Sequence, residues 1–234
     1  MVHEILSAIE HVWCPPHCLL SGAYLGTTPQ LVPGIADAEL LHHPPAPTSN
    51  ELGVLLLRHF DADDLALTSV HALWIVGTGT TIDKAIYALK YKGRMRLAEN
   101  LGAWLVRQPE LECLHADVLI AAVPIHAARY RERGYNQAYL IARGWAHASR
   151  RPLLHEGALI RHRYTPTQTS RTEGERKNNV QGAFGVKDPD SVRGRHVILV
   201  DDVLTTGSTL NACAMALLEA GARRVDAATL CAAV

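Results

Sequence analysis

Val197-Ile-Leu-Val-Asp-Asp-Val-Leu-Thr-Thr-Gly-Ser-Thr209 decides how the rest of this chain is read. Val197–Val200 is an unbroken apolar run that begins after His196, and it reads as a buried parallel strand. Asp201 and Asp202 follow at once, and Thr205-Thr-Gly-Ser-Thr209 then opens a helix. A strand that ends in acids and turns into a helix N-terminus suits a phosphorylated sugar. Free backbone N–H groups and the positive end of the helix dipole favour a phosphate. Gly207 permits a left-handed turn or a close approach of backbone to phosphate. Thr205, Thr206, Ser208 and Thr209 add hydroxyl donors, and Asp201 and Asp202 can accept hydrogen bonds from vicinal ribose hydroxyls.

Outward from that segment, strands alternate with helices, which predicts an α/β fold with a mostly parallel sheet covered on both faces. Apolar Ala116–Ile125 reads as a strand, as do Leu153–Ile160 and Val225–Ala232. Ile82, Ile86 and Leu89 share one face of a helix over Thr81–Tyr91. Leu97, Leu101 and Trp104–Leu105 continue the period after Gly93, so a second helix is expected there. Asn136–Ala148 reads as a helix with Leu140, Ile141 and Trp145 towards the sheet. Ser208–Ala220 reads as another, stopped by Gly221. Asn50–Phe60 is a short helix with Ser49 or Asn50 as its cap. Arg161–Gly182 is polar and aperiodic, the signature of a long functional loop.

Residues 1–50 are different in kind. Pro15-Pro16, Pro29–Pro33 and His42-His-Pro-Pro-Ala-Pro-Thr48 predict loops and an extended linker. The chain therefore divides into an irregular N-terminal region over 1–70 and an α/β domain over 71–234. Its 234 residues, 48% hydrophobic, are enough for one such domain and a smaller appendage. The 23 basic and 23 acidic residues cancel, so no global field steers the protein to nucleic acid or membrane. The five cysteines, Cys14, Cys18, Cys113, Cys213 and Cys231, are scattered and odd in number, which predicts reduced thiols in a cytoplasm. No apolar stretch approaches a membrane span, and Met1-Val-His-Glu4 lacks the start of a signal peptide.

A second chemical cluster follows the strand ending Val123-Pro-Ile-His126. Arg129, Arg131 and Arg133 crowd its exit, and their guanidinium forks suit phosphate oxygens. Ligands of open α/β sheets sit at the carboxyl ends of strands, so this cluster is expected to meet 201–209. Asn136 is a candidate cap for the helix that follows.

Several motifs in order resemble one family. Asp201-Asp202-Val-Leu-Thr205-Thr206-Gly207-Ser208-Thr209 resembles the phosphoribosyl-pyrophosphate (PRPP) loop of type I phosphoribosyltransferases. Arg133-Gly-Tyr-Asn-Gln137 looks like the Arg-Gly-Phe-Asn-Gln motif of the ComF family of phosphoribosyltransferase-like proteins. Ala88-Leu-Lys-Tyr-Lys-Gly93 and Gln168 with Arg176-Lys-Asn-Asn-Val-Gln-Gly-Ala-Phe184 are similar to further segments of that family. The resemblance covers residues 80–234. It implies a type I phosphoribosyltransferase fold, with Pro124, Ile125 and His126 in the pyrophosphate loop and Arg161–Gly182 as a flexible hood. Within the hood it implies Arg171, Arg176 and Lys177 as candidate pyrophosphate contacts, with Arg176 matching the family motif; Arg129 and Arg133 join them by their own chemistry, and Asp201 and Asp202 are the catalytic candidates that would stabilise positive charge on the ribose. Mg2+ is the implied cofactor, held through PRPP oxygens and waters. A nitrogen acceptor, such as a nucleobase, would then attack the ribose C1.

The resemblance departs at the N-terminus. That family begins with two Cys-x-x-Cys pairs, whereas Cys18-Leu-Leu-Ser21 has serine in place of the second cysteine and no second pair follows. Serine is a poor zinc ligand. The expectation is a degenerate module packed as loops, against a rescued site from Cys14, His17 and Cys18 with His42 or His43. Three functions follow: a Mg-dependent phosphoribosyltransferase, a non-catalytic PRPP sensor, or a DNA-uptake accessory. The last would contact single-stranded DNA or a helicase-like partner, using Arg129–Arg133 with Tyr130 and Tyr135. A homodimer stands as a base-rate expectation for enzymes of this kind.

Overall fold

The computed structural model describes residues 17–25, 29–77, 79–115, 117–162 and 183–233. Its strands are β1 (Val70–Ile75), β2 (Leu119–Ala122), β3 (Leu159–Arg161), β4 (Phe184–Val186), β5 (His196–Leu204) and β6 (Arg224–Ala232). The helices are α1 (Asp37–Leu41), α2 (Ser49–Leu56), α3 (Thr81–Tyr91) and α4 (Met95–Leu105). They continue as α5 (Pro109–Glu112), α6 (Ala127–Arg133), α7 (Gln137–Ser149) and α8 (Ser208–Glu219).

The main sheet has the order β1-β6-β5-β2 and is parallel throughout. Because side chains alternate along a strand, it separates two cores. Ile198, Val200, Ala228 and Leu230 pack on one face with Leu89, Leu101, Ile141 and Trp145 of α3, α4 and α7. Val197, Leu199, Val225 and Ala227 pack on the other with Leu52, Leu56, Leu210, Cys213 and Leu217 of α2 and α8. The expected doubly covered α/β sheet is present. A central parallel sheet flanked by helices is the architecture that the resemblance implies.

α4 and α7 cross at very close range. Gly102 lies against the carbonyl of Ile141 and Gly144 against that of Glu99, so a Cβ at either position would collide with backbone. Arg143 adds an ion pair to Glu99, with Nε 2.7 Å from Oε1.

Several boundaries differ from the sequence reading, for backbone reasons. β5 begins at His196 and runs through Asp201 and Asp202 to Leu204, because Asp201, Val203 and Leu204 still pair with Thr229, Cys231 and Ala232 of β6. A ladder of backbone hydrogen bonds does not require apolar side chains, so the acids lie inside the strand and not beyond it. β1 shows no clean period in sequence, yet it is buried almost throughout. Leu153–Ile160 is not a strand of the main sheet. Leu153 forms one isolated parallel bridge with Ile120, and β3 pairs antiparallel with β4 in a separate hairpin. The strand expected over Ala116–Ile125 is confined to Leu119–Ala122. Thr48, not Ser49 or Asn50, caps α2, in a capping box with Glu51. Arg161 ends β3, and most of the expected hood, with Gln168 and Arg176, lies outside the described residues.

Residues before 70 join the same cores: Val32 and Ile35 are fully buried on one face and Leu52 on the other. Cys18 is buried, with Sγ 3.3 Å from Glu39 Oε2. His42 and His43 instead bond backbone carbonyls, Nδ1 to Ala38 O at 2.7 Å and Nε2 to Ile75 O at 2.8 Å. Cys14 lies outside the described residues. Among those described, no three His, Cys, Asp or Glu side chains gather as metal ligands.

Candidate phosphoribosyl-binding site

β5 connects through α8 to β6 on one side, while its other neighbour, β2, arrives from β1 across the sheet. The crevice at such a switch in strand order is where α/β sheets bind ligands. Here the carboxyl ends of β2 and β5 open into a cavity of about 190 Å³. Pro124, Ile125, His126, Arg129, Arg133, Asp201, Asp202 and Thr209 all line it, with Lys90, Asn136, Gln137 and Arg161. The two segments singled out in sequence, 77 positions apart between Pro124 and Asp201, thus meet at one place.

Asp202 is the buried member of the acid pair. Lys90 Nζ on α3 stands 3.0 Å from its Oδ2, and Gln137 Nε2 on α7 donates to the same oxygen at 3.4 Å. Asp201 accepts the backbone N–H of Asp202 at 2.8 Å. Its carboxyl is pushed up to about 8, first by burial and then by the negative charge of Asp202, with Lys90 opposing. Behind it, Cys213 is buried in α8. Desolvation first, and the charge of Asp201 next, hold that thiol well above its ordinary range, so it stays protonated and inert.

Gly207 is the N-cap of α8, with φ +77°, and a Cβ there would strike the Leu56 side chain. The left-handed φ favours glycine strongly, and any side chain there would also displace Leu56. No side chain caps the backbone of this helix from Gly207. Thr206 Oγ1 and Ser208 Oγ share a hydrogen bond at 2.9 Å, while the Ser208 N–H leans to Thr206 Oγ1 at 3.4 Å. Thr205, Thr206 and Thr209 are exposed. Of the hydroxyl residues in 205–209, only Thr209 lines the cavity with the acids; Thr205, Thr206 and Ser208 form the turn beside it.

His126 caps α6 through Nδ1, 3.2 Å from the Ala128 N–H, and Gly134 ends that helix at φ +79°. This helix of about two turns turns Arg129 and Arg133 into the cavity, whereas Arg131 faces an adjoining cavity of about 640 Å³. Arg133 donates from Nη1 to Gln137 Oε1 at 2.9 Å and lies over the Tyr91 ring, 5.3 Å from its centroid. Its buried Nε has no hydrogen-bond partner among the described residues. Asn136 caps α7 through the Ala138 N–H and donates to Val123 O at 2.9 Å, which ties the strand exit to the helix start. Tyr135 is buried, its hydroxyl bonded to Leu89 O at 2.6 Å. It therefore packs as core, and no nucleic-acid base can stack on it.

Lys90 and Gln137 stand inside quoted motifs, but no role was legible for either. Arg161 was read only as the start of a loop. Their function depends on α3, α7 and β3 converging on β5, which no local spacing encodes.

The family "Phosphoribosyl transferase domain" matches residues 156–233. The chain is 36% identical over 157 residues to DNA utilization protein YhgH of Escherichia coli K12, covering 62% of this chain and 65% of that protein. It is 34% identical over 108 residues to Competence protein F of Haemophilus influenzae, covering 46% of this chain and 47% of that one. With Competence protein ComFC of Bacillus subtilis it shares 34% identity over 103 residues, covering 44% and 39%. These matches span at most 65% of the curated relatives' length. Among solved structures, glutamine PRPP amidotransferase from B. subtilis is 26% identical, with a TM-score of 0.39 over 56% of this chain and 25% of that one.

Proposed function

Because the chain is a ComF-family phosphoribosyltransferase-like protein, we propose that its cavity binds PRPP and transfers phosphoribose to a nitrogen acceptor. The observation that carries this reading is the buried Nε of Arg133, without a partner among the described residues, in the cavity that Asp201 and the buried Asp202 line. A buried donor without an acceptor costs about 1–3 kcal/mol, and a pyrophosphate oxygen would satisfy it. The backbone of 124–126 and Arg129 would hold the same group. The uncapped start of α8 and Thr209 would hold the 5-phosphate, and Asp201 and Asp202 would accept the ribose hydroxyls.

The acid pair fits a divalent ion in one respect: burial first, and then the charge of Asp202, push the Asp201 carboxyl up, and a cation between the two acids would relieve that repulsion. No third carboxylate or imidazole joins it among the described residues, so Mg2+ would take its remaining ligands from PRPP and water. When bound, the ion would neutralise diphosphate charge. In the reaction the C1–oxygen bond to pyrophosphate breaks, and pyrophosphate leaves with the electron pair. The nitrogen lone pair then forms the new bond to C1. Arg129 and Arg133 would stabilise the departing charge, and Asp201 and Asp202 the positive ribose, without moving during the step. Arg176, outside the described residues, is proposed as a further pyrophosphate contact.

Calorimetric titration of Mg-PRPP into wild type and the Asp201→Ala/Asp202→Ala variant tests the site. Saturable binding lost in the variant, followed by acceptor-dependent pyrophosphate release, is the expected result. Binding without release from any acceptor would reduce the protein to a PRPP sensor. No binding by folded wild type would defeat the reading. The relatives' names, with "DNA utilization" and "Competence", favour a second reading: a role in DNA uptake through single-stranded DNA or a helicase-like partner.

A further inference from the structure

α3 presents two faces. Lys90 turns inward to Asp202, while Tyr87 and Tyr91, one turn apart, stand exposed with their rings 4.9 Å apart at 41°. Each ring carries a cation: Lys92 Nζ lies 5.9 Å from the Tyr87 centroid, and Arg133 lies over Tyr91. Two exposed tyrosines in tilted ring contact offer an aromatic surface with polar tips, the composition enriched at binding surfaces. Beside Tyr87, a groove of about 550 Å³ runs between Leu19–Leu20 and α3, with Lys92 on its wall. Cations outnumber acids around them: Lys84 and Lys92 line the groove against Asp83. Lys92, Arg94 and Arg96 are all exposed within Tyr91-Lys-Gly-Arg-Met-Arg96, and no acid occurs between Lys84 and Ala98. In a chain of zero net charge, this is a local concentration of positive potential.

We infer that the exposed Tyr87–Tyr91 pair, with Lys92 and Arg94, is a binding surface for single-stranded nucleic acid. Bases stack on the tyrosine rings and in the adjoining groove, and phosphates follow Lys92, Arg94 and Arg133 towards the cavity. Aromatic platforms flanked by cations recognise single strands because every base offers a π-face, and a duplex hides those faces. This deepens the nucleic-acid reading above and does not depend on PRPP transfer. It also replaces Tyr135, which is buried, as the aromatic partner.

The test is fluorescence anisotropy with a labelled single-stranded 20-mer of thymidines, at several salt concentrations, on the full chain. Tyr87→Ala/Tyr91→Ala is expected to raise Kd about tenfold or more, while Tyr87→Phe/Tyr91→Phe retains binding. Lys92→Ala/Arg94→Ala is expected to lower the slope of log K against log salt by about 1–2. Circular dichroism of each variant confirms folding. No binding by wild type, equal affinity for a duplex or heparin, or indifference to the tyrosine-to-alanine change would overturn the proposal. Calorimetry with Mg-PRPP on the same variants keeps the two readings apart. Binding of PRPP without DNA sinks only this inference, and binding of DNA without PRPP sinks only the transferase.

Discussion

Lys90 Nζ stands 3.0 Å from Asp202 Oδ2 although 112 residues separate them. That contact joins α3 to β5 and gives the acid pair a counter-charge, paired directly with Asp202 and opposing the upward shift of Asp201. The pair is a quarter exposed at Lys90 and 8% exposed at Asp202. Removing one partner of a buried pair costs more than the pair contributes.

Lys90→Met should therefore destabilise the fold by about 1–2 kcal/mol, less than a fully enclosed pair because Lys90 retains some solvent. The same change should push Asp201 further up, since Lys90 opposes its shift. Urea denaturation measures the first effect and the pH midpoint of Mg-PRPP binding the second. An unmoved midpoint would remove Lys90 from the site's electrostatics.

Asp201 makes stability fall with rising pH. Its folded value, about 8, lies above the ordinary 3.8, so between those values the folded state holds a proton that the unfolded state has released. Stability is greatest at the acid end of that window and declines as pH rises through it. Asp201→Asn should flatten this slope in melting temperature against pH. Mg-PRPP binding near pH 7 should release a proton from wild type and none from the variant. Calorimetry in buffers of different ionisation enthalpy would show the difference.

Asp226 works in the opposite direction at the far end of the sheet. Burial alone would raise it, but hydrogen bonds and charge from His196, 2.7 Å away, and Arg224, 3.0 Å away, outweigh burial and lower it. Its stabilisation is present above the ordinary carboxylate range and is lost as pH falls through the lowered value. Asp226→Asn should reduce stability at pH 7 and remove part of the acid limb of denaturation. Mg-PRPP binding should be unchanged, because Asp226 lies at the start of β6, away from the cavity.

Gly102→Ala and Gly144→Ala should each destabilise the protein by about 1–3 kcal/mol, even though alanine favours a helix interior by about 1 kcal/mol. The added methyl meets the backbone of Ile141 or Glu99, which cannot rotate aside. Chemical denaturation gives the value; a stabilised variant would show that the helices separate freely.

Val197–Thr209 and the periodicity of Thr81–Tyr91, Asn136–Ala148 and Ser208–Ala220 carried the fold class, because burial on a sheet repeats along the chain. Their outcome is visible in Ile82, Leu89, Ile141, Trp145 and Leu217, all buried. β1 escaped notice because a strand buried on both faces has no alternation to read. β5 ran past its apolar segment because pairing with β6 is a backbone property.

By itself, the sequence determined which residues have the chemistry of a phosphoribosyl site: the acids 201–202, the hydroxyl turn 205–209 and the arginines after Val123. Those assignments are local, since strand, turn and helix start follow from neighbouring side chains and backbone. Only the tertiary structure decided that Lys90 pairs with Asp202, that the buried Nε of Arg133 has no partner among the described residues, that Arg131 turns elsewhere, and that Tyr135 is core while Tyr87 and Tyr91 are surface. Each depends on how helices distant in sequence cross the sheet. Such crossings are set by packing summed over the whole core, and no short stretch of residues contains that sum.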